Sequence, residues 1–374
     1  MSFFSSPPLS PLSEAKASPS SHHHPNNTIN SDRLPAARLS NRRRALSIIG
    51  AVGAQLLTWP TNSVMAVTKK PTSSVHRWRG QAFGTNASLL LHGLPKPAAQ
   101  SLIQKCQQEI SRYEKIFSLY DHNSALARLN KDSQLTTPPK ELVDLLKICT
   151  DFSVATDGAF DVTVQPLWNL YARHFAAPKK SGPRPCSEHI QYVLNKVDYT
   201  SVEITAKRIR FSRPDMMITL NGIAQGYITD QIVQIMRDHG IQNVLVDVGE
   251  ISGVGKHMNN RPWNIGVRDP ARPEKIEREI RLTNEAMSTS GGYGTVFDPT
   301  GTNHHLFNPF TGRSAEVNKA DTVVAKDATT ADALSTAFSI MPIKKSADIL
   351  KSSFKGRAII HKNDNTSVVL TSPS

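Results

Sequence analysis

The chain has 374 residues, of which 39% are hydrophobic and 20% charged. That is enough apolar material for one large or two ordinary domains, and it excludes a wholly disordered chain. The formal net charge is +13; residues 1–44 carry six basic against two acidic side chains, a net +4, which leaves +9 on the remainder. A surface of that sign suits nucleic acid, an anionic membrane or an anionic ligand, but no helix-turn-helix pattern, zinc spacing or aromatic-basic platform accompanies it, so nucleic acid is set aside as a partner.

Residues 2–36 are rich in Ser, Pro, His and Asn and almost devoid of large aliphatic side chains. Such a composition cannot bury enough surface to fold, so residues 1–44 are expected to be a disordered leader ending in a basic n-region. Asn41-Arg42-Arg43-Arg44 precedes the uncharged run Ala45 to Leu57, and Ser63-Val64-Met65-Ala66 follows. Basic residues, an apolar stretch short for a bilayer and small residues at its end make residues 45–66 a signal peptide with cleavage after Ala66. The paired arginines point to the twin-arginine route, although Ala45-Leu46 stands where Phe-Leu is usual. An exported, periplasmic mature domain over residues 67–374 is expected, or an inner-membrane anchor if the signal is retained.

From about Thr72 helices and strands alternate. Val75 to His92 reads as two short strands around Gly84-Thr85. Lys96 to Phe117 has helical spacing, with Leu102, Ile103, Cys106, Ile110, Tyr113 and Phe117 on one face. Ser124 can cap a short helix, and Glu141 to Ala155 is a further amphipathic helix. Residues 176–187 form a polar loop, and Val202 to Phe211 alternates as one strand. Gly226 to His239 is a helix closed by Gly240, leading to the apolar strand at residues 243–248; residues 263–267 and 322–325 are further strands. The mixture indicates an α/β (α+β) fold. Cys106, Cys149 and Cys186 are widely spaced without a CxxC pair, so at most one disulfide is possible and buried thiols are expected.

Several clusters depart from ordinary packing patterns. In Asp327-Ala328-Thr329-Thr330-Ala331-Asp332-Ala333-Leu334-Ser335-Thr336, Asp332 and Thr336 stand four apart on one helical face and can offer two hard oxygens to one ion. Magnesium suits that pair and commonly completes its shell with phosphate; the bland alternative is a polar helix start capped by Thr329 or Thr330. Asn221-Gly222-Ile223-Ala224-Gln225-Gly226 opens a helix with two glycines, where unpaired amides favour phosphate. Tyr120 can lie against a flat ligand or pack as an ordinary tyrosine. Asp157-Gly158-Ala159-Phe160-Asp161-Val162-Thr163 sets two acids around a glycine, which also reads as an Asp-Gly turn. His304-His305 lacks a third residue at zinc spacing.

In their order along residues 78–350, these clusters together resemble the ApbE family of FAD:protein FMN transferases. The matching pieces are Phe83-Gly84-Thr85, the Ser118 to Asn130 segment, Asp157 to Thr163, Leu220 to Asp230, Val246 to Ile251, Trp263 to Pro270, Ser288-Thr289-Ser290-Gly291, His305 to Gly312, and Asp327 to Thr336. The resemblance implies a T-fold-like sandwich of mixed sheets and helices with FAD in a cleft and Mg2+ at its pyrophosphate. It implies Asp332, Thr336 and the Gly222 carbonyl as metal ligands; Phe83, Tyr120, Asp161, Val162, Thr163, Thr219, Gln225 and His304 as flavin-nucleotide contacts; and His305 as the catalytic histidine. Departures are Phe83 for a usual Met, Gln225 for a frequent Lys or Glu, and Asn308 for a usual Asp before Pro309. The implied reaction moves FMN from FAD to a Ser or Thr of an exported or membrane acceptor, such as a flavoprotein subunit of a respiratory or electron-transfer complex, and releases AMP. Splitting of FAD to FMN and AMP by water, and noncatalytic flavin binding, are the alternatives.

Overall fold

The computed structural model describes residues 74–176, 183–257 and 259–373. The expected leader, signal peptide and start of the mature domain lie outside the described residues, as do residues 177–182 of the polar loop expected at 176–187.

The architecture is a long antiparallel sheet covered on both faces. Its strands are β1 (Val75–Ala82), β2 (Thr85–His92), β6 (Val244–Asp247), β7 (Ile251–Val254), β10 (Glu285–Gly291), β11 (Asn318–Ala325), β12 (Gly356–Lys362) and β13 (Ser367–Thr371), in that spatial order. Strand alternation decides what each face packs against. Leu89, Leu91, Val244, Val246 and Val323 enter the main core, shared with the helices. Their neighbours Leu90, Leu245 and Val324 point the other way, into a second cluster with Trp263, Ile265, Ile280 and Leu282. These last belong to a ribbon of β8 (Trp263–Asp269) and β9 (Arg272–Leu282) laid over that face. A third, small sheet is β3 (Gln134–Thr136), β5 (Arg208–Phe211) and β4 (Val202–Ile204).

On the helical side, α1 (Lys96–Phe117) buries Leu102, Cys106, Ile110, Tyr113 and Phe117, as its spacing predicts. Next come α2 (Ala125–Asp132), capped by Ser124 through the Ala127 amide, α3 (Lys140–Ala155), α4 (Gln165–Ala176) and α5 (Ser187–Leu194). Helix α6 (Ala224–Asp238) ends at Gly240, whose φ of +73° suits glycine and lets the Ile241 amide bond back to Met236. Helix α7 (Ala328–Phe338) is buried nearly all round, and α8 (Ile343–Ser352) precedes β12.

Three expectations are corrected. Residues 202–211 form a hairpin, not one strand, because Thr205 turns the chain by bonding Arg208 through both its backbone and its hydroxyl. Helix α7 is capped by neither Thr329 nor Thr330: Asp327, extended at φ −138°, accepts the Thr330 amide at 2.8 Å. Cys106 and Cys149 are buried thiols, but Cys186 is exposed just before α5. Among the described residues no helix is long and apolar enough to cross a membrane.

Candidate active site

Helices α6 and α7 meet at a glycine. A Cβ on Gly226 would lie 2.3 Å from the Ala328 carbonyl oxygen and 2.8 Å from the Asp332 Cβ, so no other residue permits the approach. The Gly226 amide donates to Asp332 Oδ2 at 3.0 Å. One turn further along α6, Asp230 accepts the Ala328 and Thr329 amides, each at 2.8 Å, and the Thr329 hydroxyl. Helix α7 thereby has a second N-terminal carboxylate, supplied by its neighbour, and its rotation about its axis is fixed.

That rotation presents Asp332 and Thr336 to the loop that opens α6. Thr336 Oγ1 lies 3.4 Å from the Gly222 carbonyl oxygen, and a Cβ on Gly222 would come within 2.9 Å of the same hydroxyl. The gap is a cradle that a side chain would fill. Adjacent ligands of an octahedral ion with bonds of about 2.1 Å sit about 3 Å apart, so this spacing of hard oxygens fits a small divalent cation. The three predicted oxygen donors, Gly222, Asp332 and Thr336, are thus brought together. No cluster of three His, Cys, Asp or Glu side chains suited to a metal occurs among the described residues, so carbonyl, hydroxyl and ligand oxygens would have to complete any shell. Burial raises the Asp332 pKa, with Asp230 adding to it. Glu250 is pushed well up by desolvation and then by Asp332, and burial holds Asp247 at about 6. Carboxylates crowded in this way favour a cation beside them.

The remaining walls come from distant segments. Gln225 Nε2 donates to Thr85 Oγ1 at 3.0 Å and lies against Gly249, whose φ of +99° favours glycine. This joins the Phe83-Gly84 turn to the start of α6. Both turn residues have positive φ, 50° and 74°, and the Phe83 amide is held by Glu114 at 2.8 Å. The Thr219 amide donates to the Val162 carbonyl at 2.8 Å, setting residues 161–163 beside the loop that leads to Gly222. The Asp161 carboxylate is spent inside the protein, on the Thr163 amide and hydroxyl and the Tyr199 amide. Val162 and Thr163 are buried. Tyr120 lies on the loop between α1 and α2 and is 66% exposed.

The two histidines play different parts. His304 is buried, its Nε2 donating to the Ala315 carbonyl at 2.8 Å while Nδ1 accepts the Leu306 amide at 3.3 Å, so both nitrogens are engaged within the protein. His305 packs over the Gly292-Tyr293-Gly294 turn, where a Cβ on Gly294 would be 3.2 Å from its Cε1. Its Nδ1 bonds the Thr295 carbonyl at 3.2 Å, which assigns the tautomer and leaves the Nε2 lone pair as acceptor. Desolvation first, and His304 second, lower its pKa to about 4, so the ring is neutral at ordinary pH. Gly294 follows Ser290 by four residues, so these two Cα atoms are at most about 14 Å apart, and Ser290 Oγ in turn lies 3.3 Å from Thr336 Oγ1.

Residues 83–360 match the ApbE family. The chain belongs to the ApbE family. It is 26% identical over 297 residues to the FAD:protein FMN transferase of Salmonella typhimurium, covering 76% of this chain and 83% of that protein. It is 28% identical over 267 residues to the FAD:protein FMN transferase of Haemophilus influenzae, covering 68% and 77% respectively. The crystal structure of the ApbE protein from Thermotoga maritima superposes with a TM-score of 0.71 at 28% identity, over 79% of this chain and 97% of that one. The mixed α/β sandwich is therefore the fold of that family.

Sequence patterns did not single out Asp230, Glu250, Ser290, Ser335 or the role of Asn130. The Asn130 carboxamide clamps the Ile218 backbone, donating to its carbonyl at 2.8 Å and accepting its amide at 2.7 Å, and so sets the path into Thr219. The only cue is that all five fall inside the matched motifs.

Proposed function

We propose that this member of the ApbE family transfers the FMN part of FAD to a Ser or Thr hydroxyl of an acceptor protein and releases AMP. The observation that carries the proposal is the convergence of the Gly222 carbonyl, the Thr336 hydroxyl and the Asp332 carboxylate at the glycine-opened start of α6. Those three residues would hold Mg2+, which when bound supplies neutralisation of pyrophosphate charge and of the departing oxygen, worth several kcal/mol. The FAD:protein FMN transferases among its relatives support the same reading.

The chain's own groups then have defined tasks. The positive end of α6 would face the pyrophosphate, with its Ile223 and Ala224 amides held by the Leu220 carbonyl and its Gly226 amide by Asp332. The acceptor oxygen attacks the flavin-side phosphorus, its proton passes to His305 Nε2, and the phosphorus–oxygen bond to AMP breaks. The product is FMN joined to the acceptor through a phosphoester. A neutral imidazole oriented by the Thr295 carbonyl suits this proton transfer, a contribution on the order of 100-fold to 10,000-fold. Exposed Tyr120 is offered as a flavin platform. The basic leader and signal segment support export, so the acceptor would be an exported or membrane protein, such as a flavoprotein subunit of an electron-transfer complex.

AMP release tests the proposal. With FAD and Mg2+, AMP is expected only when acceptor is present and in amounts equal to acceptor modified. Equal AMP release without acceptor would make the protein a FAD pyrophosphatase, and tight FAD binding with no AMP at all would make it a flavin-binding protein.

A further inference from the structure

Between β10 and α7 lies a chain of hydroxyl groups for which the core has no packing need. Ser288 and Ser290, two apart on β10, point to the same face and meet Ser335 of α7, with oxygen separations of 3.0 and 2.8 Å. Ser290 Oγ is also 3.3 Å from Thr336 Oγ1. Ser335 is fully buried and lies 3.0 Å from the Asp332 carbonyl oxygen. Alanine at these positions would be simpler for a core, and within a helix it is the better former by about 0.5 kcal/mol.

Each hydroxyl has one proton to donate and two lone pairs, so the placement of the Ser335 proton sets the direction of the rest of the chain. The Ser335 proton can go to the Asp332 carbonyl, to Ser288 or to Ser290; in the first two arrangements Ser335 accepts from Ser290 across 2.8 Å, and it is these that the relay uses. Ser290, its proton spent, can only accept at its contact with Thr336. The Thr336 proton therefore has two destinations: the Gly222 carbonyl at 3.4 Å or Ser290 at 3.3 Å. The first ties two proposed ligand oxygens to each other. The second turns a lone pair of Thr336 toward the cradle and frees the Gly222 carbonyl.

We infer that Ser290 and Ser335 are positioning residues, taking up the Thr336 hydroxyl proton so that its oxygen and the Gly222 carbonyl both face the cation. This inference rests on the cation site proposed above. It adds two residues that touch neither the metal nor the substrate, in the manner of groups behind the ligands of other metal sites, whose loss typically costs 10-fold to 100-fold in affinity.

The test is Mn2+ uptake in the presence of FAD, followed by the paramagnetic signal of the free ion, with the thermal midpoint of the metal-free protein measured alongside. Ser335→Ala and Ser290→Ala are each expected to weaken Mn2+ binding at least 10-fold with little change in midpoint, and Ser290→Thr is expected to restore it. Ser335→Ala combined with Thr336→Ala should bind no worse than Thr336→Ala alone, because nothing is left to orient. Wild-type binding by Ser335→Ala, or an additive loss in the double variant, would overturn the relay while leaving the cation site standing. If Thr336→Ala and Asp332→Ala also bind Mn2+ as the wild type does, or the wild type takes up none, the cation site itself fails and the relay with it.

Discussion

Replacing Gly226 by alanine probes the α6–α7 junction on which the site is built. The added Cβ would sit 2.3 Å from the Ala328 carbonyl oxygen, about 1.1 Å inside the 3.4 Å limit of ordinary contact, and 2.8 Å from the Asp332 Cβ. Neither atom is the end of a flexible side chain, so the helices must separate by roughly 1 Å. Overpacking of this kind costs about 1–3 kcal/mol, whereas an unobstructed Gly to Ala change in a helix gains up to about 1 kcal/mol. A net loss of about 1–2 kcal/mol is expected, read as a lowered midpoint in thermal or urea unfolding. The same displacement stretches the 3.0 Å bond between the Gly226 amide and Asp332 Oδ2 and moves Asp332 and Thr336 relative to Gly222. Misplacement by about 1 Å typically costs on the order of 100-fold in rate, so flavin transfer at saturating FAD should fall about that much. A Gly226→Ala protein that is more stable than wild type and fully active would refute the reasoning.

His305→Ala should lower the transfer rate by about 100-fold to 10,000-fold while FAD affinity changes little, which stopped-time assays and equilibrium titration resolve. Because the folded pKa of His305 lies near 4, below 6.5, the unfolded chain takes up its proton first as pH falls, so stability drops between pH 6.5 and 4 by at most about 3 kcal/mol. That segment of the urea stability profile should flatten in His305→Ala, and wild-type transfer should show no ionisation of this group near pH 6.5. Asn130→Ala strands the backbone amide and carbonyl of buried Ile218 and should cost about 2–4 kcal/mol in unfolding free energy.

Local periodicity made some elements legible. The bounds of helix α1 and five of the six residues expected on its apolar face are legible because they repeat at helical spacing over six turns, Ile103 being only partly buried, and the end of α6 is marked by Gly240. Strand β9 went unread because its charged residues mask a face on which only Ile280 and Leu282 are deeply buried. The hairpin at 202–211 carries no glycine or proline at its turn, made by Thr205, and its one cue is the shift of the apolar phase from Val202 and Ile204 to Ile209 and Phe211 across Lys207-Arg208. In the candidate site, Asp332 and Thr336 were visible as a pair one helical turn apart. The contacts that set them in place, from Gly226 and Ser290, cross 106 and 46 residues of chain and leave no trace in local spacing. Likewise, two adjacent histidines look alike in sequence, and only the carbonyls of Ala315 and Thr295 divide them into a packed ring and an oriented acceptor.

The most direct measurement is the intact mass of a candidate acceptor protein after incubation with FAD, Mg2+ and either the wild-type chain or Asp332→Ala. An added FMN, less one water, on a Ser or Thr with wild type and no addition with Asp332→Ala is the predicted result. Acceptor modified equally by both proteins, or by neither across acceptors that other members of the family flavinylate, would contradict it.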